Sequence, residues 1–321
     1  MSGRFEPAIA VAACLGAAGC LGRGTPSNVA LSCGTPRKAA DLPAVLVEAS
    51  GIVRDPRSPD LFWLHNDSGN ELAVYGVDAG GALRATVHLR GATNVDAEDI
   101  ALGHCAYGPC LYVADIGDNL AVRPEVFLYR VPLPPLPAGL APDGSVEGHG
   151  AAGAVEDTVD VERIIRLRYA GGPRDAESLV SDPAGEDLLI VTKGRDGVVA
   201  LYRIPFPELE SEDVIIPARV GRLPVPSGSN SSQFVTAADL SPDGRTFAVR
   251  SYTTLFLFAW SSAASFDTTA VPRTASLLPA LEAQGEGLTF SDDGRSILLA
   301  SEGAEGRGPQ LSRLTCGAAG R

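Results

Sequence analysis

Acidic and polar side chains recur at two positions in five segments of the chain. The segments 284–302 and 235–252 superpose without a gap at an offset of 50 residues, and three earlier segments fit the same frame. Near the start of the first strand, this frame places Ser50, Glu98, Glu177, Thr236 and Glu286. Sixteen residues later, or seventeen in one segment, it places Asn66, Asp115, Lys193, Tyr252 and Glu302. Because an antiparallel pair brings these two positions to the same end, we expect the side chains to converge.

The convergence of carboxylates predicts a ligand site that favours cations. Like charges at close range repel unless a bound cation or the ammonium group of Lys193 compensates them. The sequence therefore predicts either a hard cation such as Ca²⁺ or raised carboxylate pKa values. The alternative is that these side chains only cap strand ends and hydrate a water-filled channel. The predicted ligand-binding residues are Asn66, Glu98, Asp115, Glu177, Lys193, Tyr252, Glu286 and Glu302.

Two loops that follow inner strands add candidate metal ligands. Residues 65–70 (HNDSGN) and 115–119 (DIGDN) each offer several side-chain oxygens, which Ca²⁺ sites need, and they contribute Asp67 and Asp118. Neither loop has the spacing of an EF-hand. Asn, Asp and Gly are also the residues that a β-turn prefers without any metal, so a turn is the alternative for each loop.

The composition and the absence of certain motifs exclude some classes of binding partner and of reaction. With 39 acidic and 26 basic residues the formal charge is −13, which repels phosphate backbones and favours cations over nucleic acid. None of the four histidines has the spacing of a zinc site, and no GxSxG nucleophile elbow is present. His65 adjoins the predicted site, either as a general base or as a strand-end hydrogen-bonding residue.

The elements that must position these residues are short strands joined by tight turns. The turns SPDG and SDDG each precede an aliphatic strand, and a four-strand cycle recurs along the chain. Counting inner strand pairs predicts an all-β propeller of five four-stranded blades over residues 42–321. A repeat of about 45 residues also allows six blades. The last blade lacks a fourth strand, and a strand at residues 44–48 would supply it and close the ring.

A long insertion interrupts this cycle. Residues 132–157 are rich in Pro, Gly and Ala and have no hydrophobic periodicity. This composition predicts a surface loop, and the alternative is that the insertion holds part of a sixth blade.

The turn-strand motifs resemble those of a known family. The segments LSPDGRTFAVRS and FSDDGRSILLAS resemble the WD-like propeller repeat of TolB-type periplasmic proteins. The wider pattern of ASGI, HNDSG, AEDIA and DIGDN is similar to a group of exported bacterial β-propeller proteins of undefined function. The resemblance implies a propeller fold and export, and it implies no particular chemistry.

The N-terminus has the pattern of an export signal. Residues 1–19 contain a short apolar run of signal-peptide length, too short to span a bilayer. The run ends in Ala17-Ala18-Gly19-Cys20, which resembles a bacterial lipobox and implies lipidation of Cys20, and ordinary secretion with cleavage nearby is the alternative. Residues 20–41, rich in Gly, Pro, Ser and Ala, are predicted to be a tether.

The cysteines beyond this signal are even in number, as expected in an oxidising compartment. Cys105 and Cys110 flank a turn-forming stretch, and Cys33 and Cys316 lie near the two ends of the mature chain. We therefore expect a local bridge and a bridge that closes the ring, with free buried thiols as the alternative.

Together these observations predict an exported, lipid-anchored binding module. Its ligand at the acidic mouth would be a cation, a small solute or a protein partner, and its one contact with a membrane would be the N-terminal lipid anchor. The alternative is a Ca²⁺-dependent hydrolase, similar in outline to propeller phytases and lactonases. The sequence leaves open whether the protein is an enzyme.

Overall fold

A computed structural model describes residues 31–318 apart from 70, 106–107, 138–153, 185 and 229. The predicted signal peptide and Cys20 lie outside the described residues. The described part of the chain forms small antiparallel sheets that are arranged as the five blades of a β-propeller, as predicted. Among these residues no helix is long and apolar enough to cross a membrane.

In each of blades I to IV the first strand is innermost, and the strands follow in chain order towards the outside, with one excursion to blade I between the third and fourth strands of blade II. Blade I consists of β3 (Ala49–Arg54), β4 (Leu61–Asn66), β5 (Ala73–Asp78) and β6 (Leu83–Arg90). Blade II consists of β7 (Ala97–Cys105), β8 (Gly108–Asp115), β9 (Val126–Pro132) and β11 (Arg163–Leu167). Blade III consists of β12 (Ala176–Ser181), β13 (Asp187–Thr192), β14 (Ala200–Pro205) and β15 (Ala218–Arg222). Blade IV consists of β16 (Val235–Leu240), β17 (Thr246–Ser251), β18 (Thr254–Ala259) and β19 (Arg273–Ser276).

Blade V joins the two ends of the chain. Its three inner strands are β20 (Gln284–Phe290), β21 (Ser296–Glu302) and β22 (Gln310–Ala318). The N-terminal strands β1 (Leu31–Cys33) and β2 (Arg37–Asp41) both pair antiparallel with β22. This arrangement removes the free edge that β22 would otherwise expose.

The closing strand is not the predicted one. Residues 44–48 form turns, in which the Leu46 N–H donates to the Pro43 carbonyl at 2.9 Å and the Ala49 N–H donates to the Leu46 carbonyl at 3.2 Å. Val45 and Val47 are exposed while Leu46 is fully buried, so the alternating pattern comes from one anchored side chain and not from a strand. Strand β2 supplies the outer strand instead, and the predicted tether at 20–41 is therefore wrong over its C-terminal part.

The insertion at 132–157 adds a strand and not a sixth blade. Its last residues belong to β10 (Val155–Asp160), which pairs in parallel with β6 and so becomes the fifth strand of blade I. The chain then returns to blade II as β11. Residues 138–153 of the insertion lie outside the described residues.

Both predicted disulfides are confirmed. Cys33 is bonded to Cys316 where β1 meets β22, and Cys105 is bonded to Cys110 across the turn between β7 and β8. The first bridge links residues 283 positions apart and fastens the seam of the ring.

The apolar cores lie between neighbouring blades. Trp63 of blade I, for example, belongs to the same buried cluster as Leu111 and Val113 of blade II. Such inter-blade packing fixes the order of the inner strands around the central channel as β3, β7, β12, β16 and β20. It thereby brings the starts of all five inner strands to one mouth.

Candidate functional site

A β-bulge lies at the start of the inner strand in all five blades. The pairing register between the first and second strands slips at the same place each time. The slips skip one residue in four blades and two in blade I, and they include Ser50, Glu98, Glu177, Thr236 and Glu286. A bulge changes the direction in which the skipped side chain points. The repeated sequence position therefore corresponds to a repeated backbone irregularity at one mouth of the channel.

The three glutamates at these bulges are almost completely buried. Glu98, Glu177 and Glu286 have relative exposures of 4 %, 1 % and 5 %. Burial, followed by the mutual repulsion of Glu98 and Glu177, raises the pKa of Glu98. Burial also raises the pKa of Glu177 and of Glu286, against the attraction of Lys193.

Lys193 lies among these carboxylates and forms an ion pair with one of them. Its Nζ is 2.5 Å from Glu177 Oε1. Burial alone would lower the pKa of Lys193, but the attraction of Glu177 and Glu98 outweighs it and raises the pKa. One ammonium group thus faces several carboxylates, and it balances only part of their charge.

Glu286 is held by two neutral donors. Tyr252 Oη donates to Glu286 Oε1 at 3.0 Å, and Gln284 Nε2 donates to the same oxygen at 2.8 Å. The second oxygen, Glu286 Oε2, is buried and has no hydrogen-bond partner, and Glu177 Oε2 is in the same situation. A buried carboxylate oxygen without a partner is costly, and protonation or a bound cation would offset that cost.

Two overlapping groups of carboxylates have the proximity that a metal site requires. One oxygen from each of Asp67, Asp96 and Glu98 lies within 4.8 Å of the others, and the same holds for Glu98, Asp175 and Glu177. Glu98 is shared by both groups.

Sequence reasoning missed Asp96 and Asp175. Each stands two residues before a bulge glutamate, in the repeated tripeptide Asp-Ala-Glu at 96–98 and 175–177. Gln284-Gly285-Glu286 has the same form with an amide in place of the acid. This repeat was the signal in the sequence that could have found them.

Gly117 allows the first of these groups to form. A Cβ on this glycine would lie 2.3 Å from Glu98 Oε1 and 2.5 Å from Asp96 Oδ2, which is closer than any real contact. The Gly117 N–H also donates to the Asp96 carbonyl at 3.0 Å. The loop predicted to bind metal through Asp118 therefore makes room for the carboxylates at Gly117.

The carboxylate of Asp118 stabilises its own loop by hydrogen bonds. Its carboxylate accepts the N–H groups of Val122 and Arg123, both at 2.9 Å, and its own N–H donates to Asp175 Oδ1 at 3.0 Å. The structure thus places Asp118 in a turn, the alternative considered from the sequence, and not in either carboxylate group.

Asn66 and Asp115 do not join the carboxylates at the mouth. Asn66 pairs with Ala49 in the ladder, and its amide contacts Glu48 N–H and the Val45 carbonyl. By the same register Asp115 pairs with Ala97, and its Oδ1 lies 2.8 Å from Arg123 Nη1.

The sequence alignment was one residue out of register in these two blades. In blades III and IV the corresponding ladder partners are Thr192 and Ser251, so Lys193 and Tyr252 stand one residue further on. A shift of one residue along a strand moves a side chain to the opposite face. In blade I the residue that corresponds to Lys193 is therefore Asp67, which joins the first carboxylate group.

Three further acids at the mouth, Asp67, Asp96 and Glu302, have raised pKa values. Burial, followed by the charge of Glu286 for Asp67 and of Asp67 for Asp96, raises the pKa of both aspartates to about 6. Burial, followed by the charges of Glu286 and Asp67, raises the pKa of Glu302 to about 8. The mouth therefore holds carboxylates that take up protons when no cation is bound.

His65 lies buried beside Gly51 of the inner strand. It is fully buried, Nδ1 contacts the Asn66 carbonyl at 2.9 Å, and Nε2 has no hydrogen-bond partner. A Cβ on Gly51 would lie 2.7 Å from both His65 Nε2 and Asp99 Oδ1, so the imidazole and the Asp99 carboxyl both pack against this glycine. Burial lowers the pKa of His65 to about 4, which keeps the ring neutral.

No protein-family model matches the chain, and no curated protein matches it by sequence. Among solved structures, the hydrazine synthase of Kuenenia stuttgartiensis is 15 % identical with a TM-score of 0.38, covering 80 % of this chain and 56 % of that one. A Bacteroides uniformis protein described as a 6-phosphogluconolactonase is 12 % identical with a TM-score of 0.35, covering 78 % of this chain and 64 % of that one. The chain thus spans less than two thirds of either structure. The propeller assignment rests on the five sheets themselves.

Replacing Glu302 by Gln is expected to change the pH dependence of stability in the metal-free protein. The folded-state pKa of about 8 lies above the ordinary value of 4.5, so the protonated carboxyl stabilises the fold below pH 4.5. That contribution is lost as the pH rises through 8. Between about pH 5 and 8.5 the melting temperature of the wild type should therefore fall relative to that of Glu302→Gln.

The measurement is thermal unfolding across this pH range in the presence of a chelator. Glu305→Gln, an exposed change in the loop that follows, is the matched control and should track the wild type. Parallel curves for the wild type and Glu302→Gln would contradict the assigned electrostatics of the mouth.

Proposed function

We propose that the chain is an exported, lipid-anchored β-propeller of the TolB-like kind that acts as a binding module and holds Ca²⁺ at the acidic mouth. The observation that carries this proposal is the shared position of Glu98 in two groups of carboxylates whose oxygens lie within 4.8 Å of one another. The buried, unpartnered oxygens of Glu177 and Glu286 support it independently. The two disulfides agree with an oxidising compartment outside the cytoplasm.

The group formed by Asp67, Asp96 and Glu98 is the preferred cation position. In the other group, Glu177 forms an ion pair with Lys193 at 2.5 Å, and Asp175 forms one with Arg195 at 2.7 Å. These basic groups already compensate part of the charge there. A divalent cation gains most where carboxylates converge without an ammonium or guanidinium group between them.

The chemistry of the donors favours Ca²⁺. All three are carboxylates, and Ca²⁺ takes about six to eight oxygen ligands at roughly 2.3–2.6 Å in flexible geometry. Three carboxylates leave part of that shell open to water, to a small solute or to the oxygens of a protein partner. The cation would thus link the mouth to a ligand that presents oxygen atoms.

Glu98→Gln is expected to weaken Ca²⁺ binding at least tenfold, because the shared ligand loses its charge. Titration calorimetry with CaCl₂ measures the affinity, and Tb³⁺ luminescence sensitised by Tyr252 reports binding at the same mouth. The matched control is Glu212→Gln, a carboxylate whose side chain is 89 % exposed. It should leave the affinity unchanged.

A second variant tests the geometry without removing a ligand. Gly117→Ala would push a methyl group against Glu98 and Asp96 and should also weaken binding. Gly308→Ala is the control, since a Cβ there meets no atom within 4 Å. The proposal fails if the wild type binds no Ca²⁺ at millimolar concentration, or if both Glu98→Gln and Gly117→Ala bind it as tightly as the controls.

The alternative function, a Ca²⁺-dependent hydrolase, would use the same cation to polarise a phosphoryl or carbonyl oxygen. The described residues offer no specific observation in its favour. His65, the general base considered from the sequence, is fully buried against Gly51, and burial lowers its pKa so that the ring is neutral. Chelator-sensitive turnover of a phosphate ester or lactone would be the result that supports this alternative.

A further inference from the structure

A separate cavity opens at the other end of the channel. It has a volume of about 270 Å³ and is lined by residues of all five inner strands and the turns that follow them. The walls include Ile52 of β3, Ile100 of β7, Leu179 of β12, Leu240 of β16 and Leu288 of β20. Each inner strand begins at the acidic mouth and ends here, so the two sites lie at opposite ends of the propeller axis.

Apolar side chains dominate these walls, although two aspartates also contribute. Asp99 accepts the N–H groups of Ile100 and Leu179, both at 2.8 Å. Asp239 likewise accepts N–H groups from Leu240 at 2.8 Å and from Phe290 at 2.9 Å. Both carboxyls therefore hold neighbouring strands together.

The charges at the rim are also compensated. Arg54 Nη2 lies 3.0 Å from Asp292 Oδ1, and Arg54 Nη1 donates to the Asp55 carbonyl at 3.0 Å. The cavity thus differs from the acidic mouth, where buried glutamate oxygens lack partners. Both oxygens of Asp99 and of Asp239 already accept backbone N–H groups, so a charged ligand would lose its hydration here without gaining a free partner.

We propose that this cavity binds a small, uncharged, apolar molecule, of the size of a short alkyl chain or a single aromatic ring. Ligand pockets are concave and mostly apolar, and their volumes begin at roughly 300 Å³, near the value found here. The volume is too small for a folded peptide segment or a two-chain lipid. The five apolar side chains named above are only 2–4 % exposed, so an apolar occupant would gain mainly van der Waals contacts with them.

The proposal predicts a dependence on chain length. Calorimetric titration with 1-butanol, 1-hexanol and 1-octanol should show saturable binding to one site. The affinity should rise about fourfold per methylene group, since each buried CH₂ contributes about 0.8 kcal/mol. Adding CaCl₂ or a chelator should leave the affinity for these alcohols unchanged, which separates this proposal from the proposed Ca²⁺ site.

Two variants test whether the alcohols bind in this cavity, because each places a phenyl ring in it from its partly exposed edge. Ser181→Phe and Val53→Phe should each weaken the binding of 1-octanol at least tenfold, and two positions guard against one variant failing to fold. The control is Ser276→Phe, on the exposed outer strand β19. The proposal is overturned if the wild type shows no saturable binding of any of the three alcohols. It is equally overturned if a folded Ser181→Phe or Val53→Phe variant binds 1-octanol as tightly as the control.

Discussion

Replacing Arg250 by Met is expected to lower the free energy of unfolding by about 3–5 kcal/mol, the usual cost of removing one partner of a buried ion pair. Arg250 lies on β17 of blade IV and its side chain is completely buried. Its Nη2 is 2.6 Å from Glu282 Oε2, and its Nη1 donates to the Gly287 carbonyl of blade V at 3.1 Å. The variant would leave Glu282, whose side chain is only 5 % exposed, without its counter-charge.

Two further variants separate charge from packing. Arg250→Met combined with Glu282→Leu removes both charges and should recover much of the lost stability, because apolar replacements of a whole buried pair are often neutral. Arg90→Met is the control for a surface pair, since Arg90 and Asp160 are 66 % and 71 % exposed, and it should cost at most about 1 kcal/mol. Urea unfolding of the four proteins gives the comparison. Similar losses for Arg250→Met and Arg90→Met would contradict the role assigned to the buried pair.

The sequence was informative wherever a local rule and a repeat agreed. The turns at Gly244 and Gly294 have φ of 64° and 65°, a conformation that favours glycine, so the SPDG and SDDG motifs fix the hairpins of blades IV and V. The strands beside them are aliphatic and buried on the expected faces. Five blades could therefore be counted from hairpins alone.

The sequence failed where one residue of register decides the outcome. The bulges at Glu98 and Glu177 cannot be recognised from the composition, and without them the second strands of blades I and II were each aligned one residue out of register. As a result Asn66 was aligned with Lys193, and Asp67 was assigned to a loop. Only the ladder pairing separates the side chain that faces the mouth from its neighbour.

Local sequence patterns also could not predict contacts between distant parts of the chain. Strand β10 pairs in parallel with β6, some 70 residues earlier, through its backbone and with mostly exposed side chains, so it shows no hydrophobic periodicity. The pair of Arg250 and Glu282 joins two blades across 32 residues and requires space beside Gly285. Such contacts depend on the completed ring.

Removing the Cys33–Cys316 bridge by paired Cys→Ala substitutions is expected to lower the free energy of unfolding by about 5–6 kcal/mol. The bridge joins residues 283 positions apart, so it restricts the unfolded chain far more than a short loop would. The matched control is the Cys105–Cys110 bridge, which spans 5 positions and should cost about 2 kcal/mol when removed in the same way. Urea unfolding of both variants and the wild type measures the two losses.

The comparison also tests how the ring is closed. Strand β2 pairs with β22 from Arg37↔Arg313 to Asp41↔Gln310, so backbone hydrogen bonds hold the seam even without the disulfide. If the long bridge mainly restricts the unfolded chain, its removal should lower stability while the acidic mouth stays intact, because the native ladder between β2 and β22 is kept. Equal losses for the long and the short bridge would contradict this account and would show that the ladder of β2, and not the cross-link, determines the stability of the closed ring.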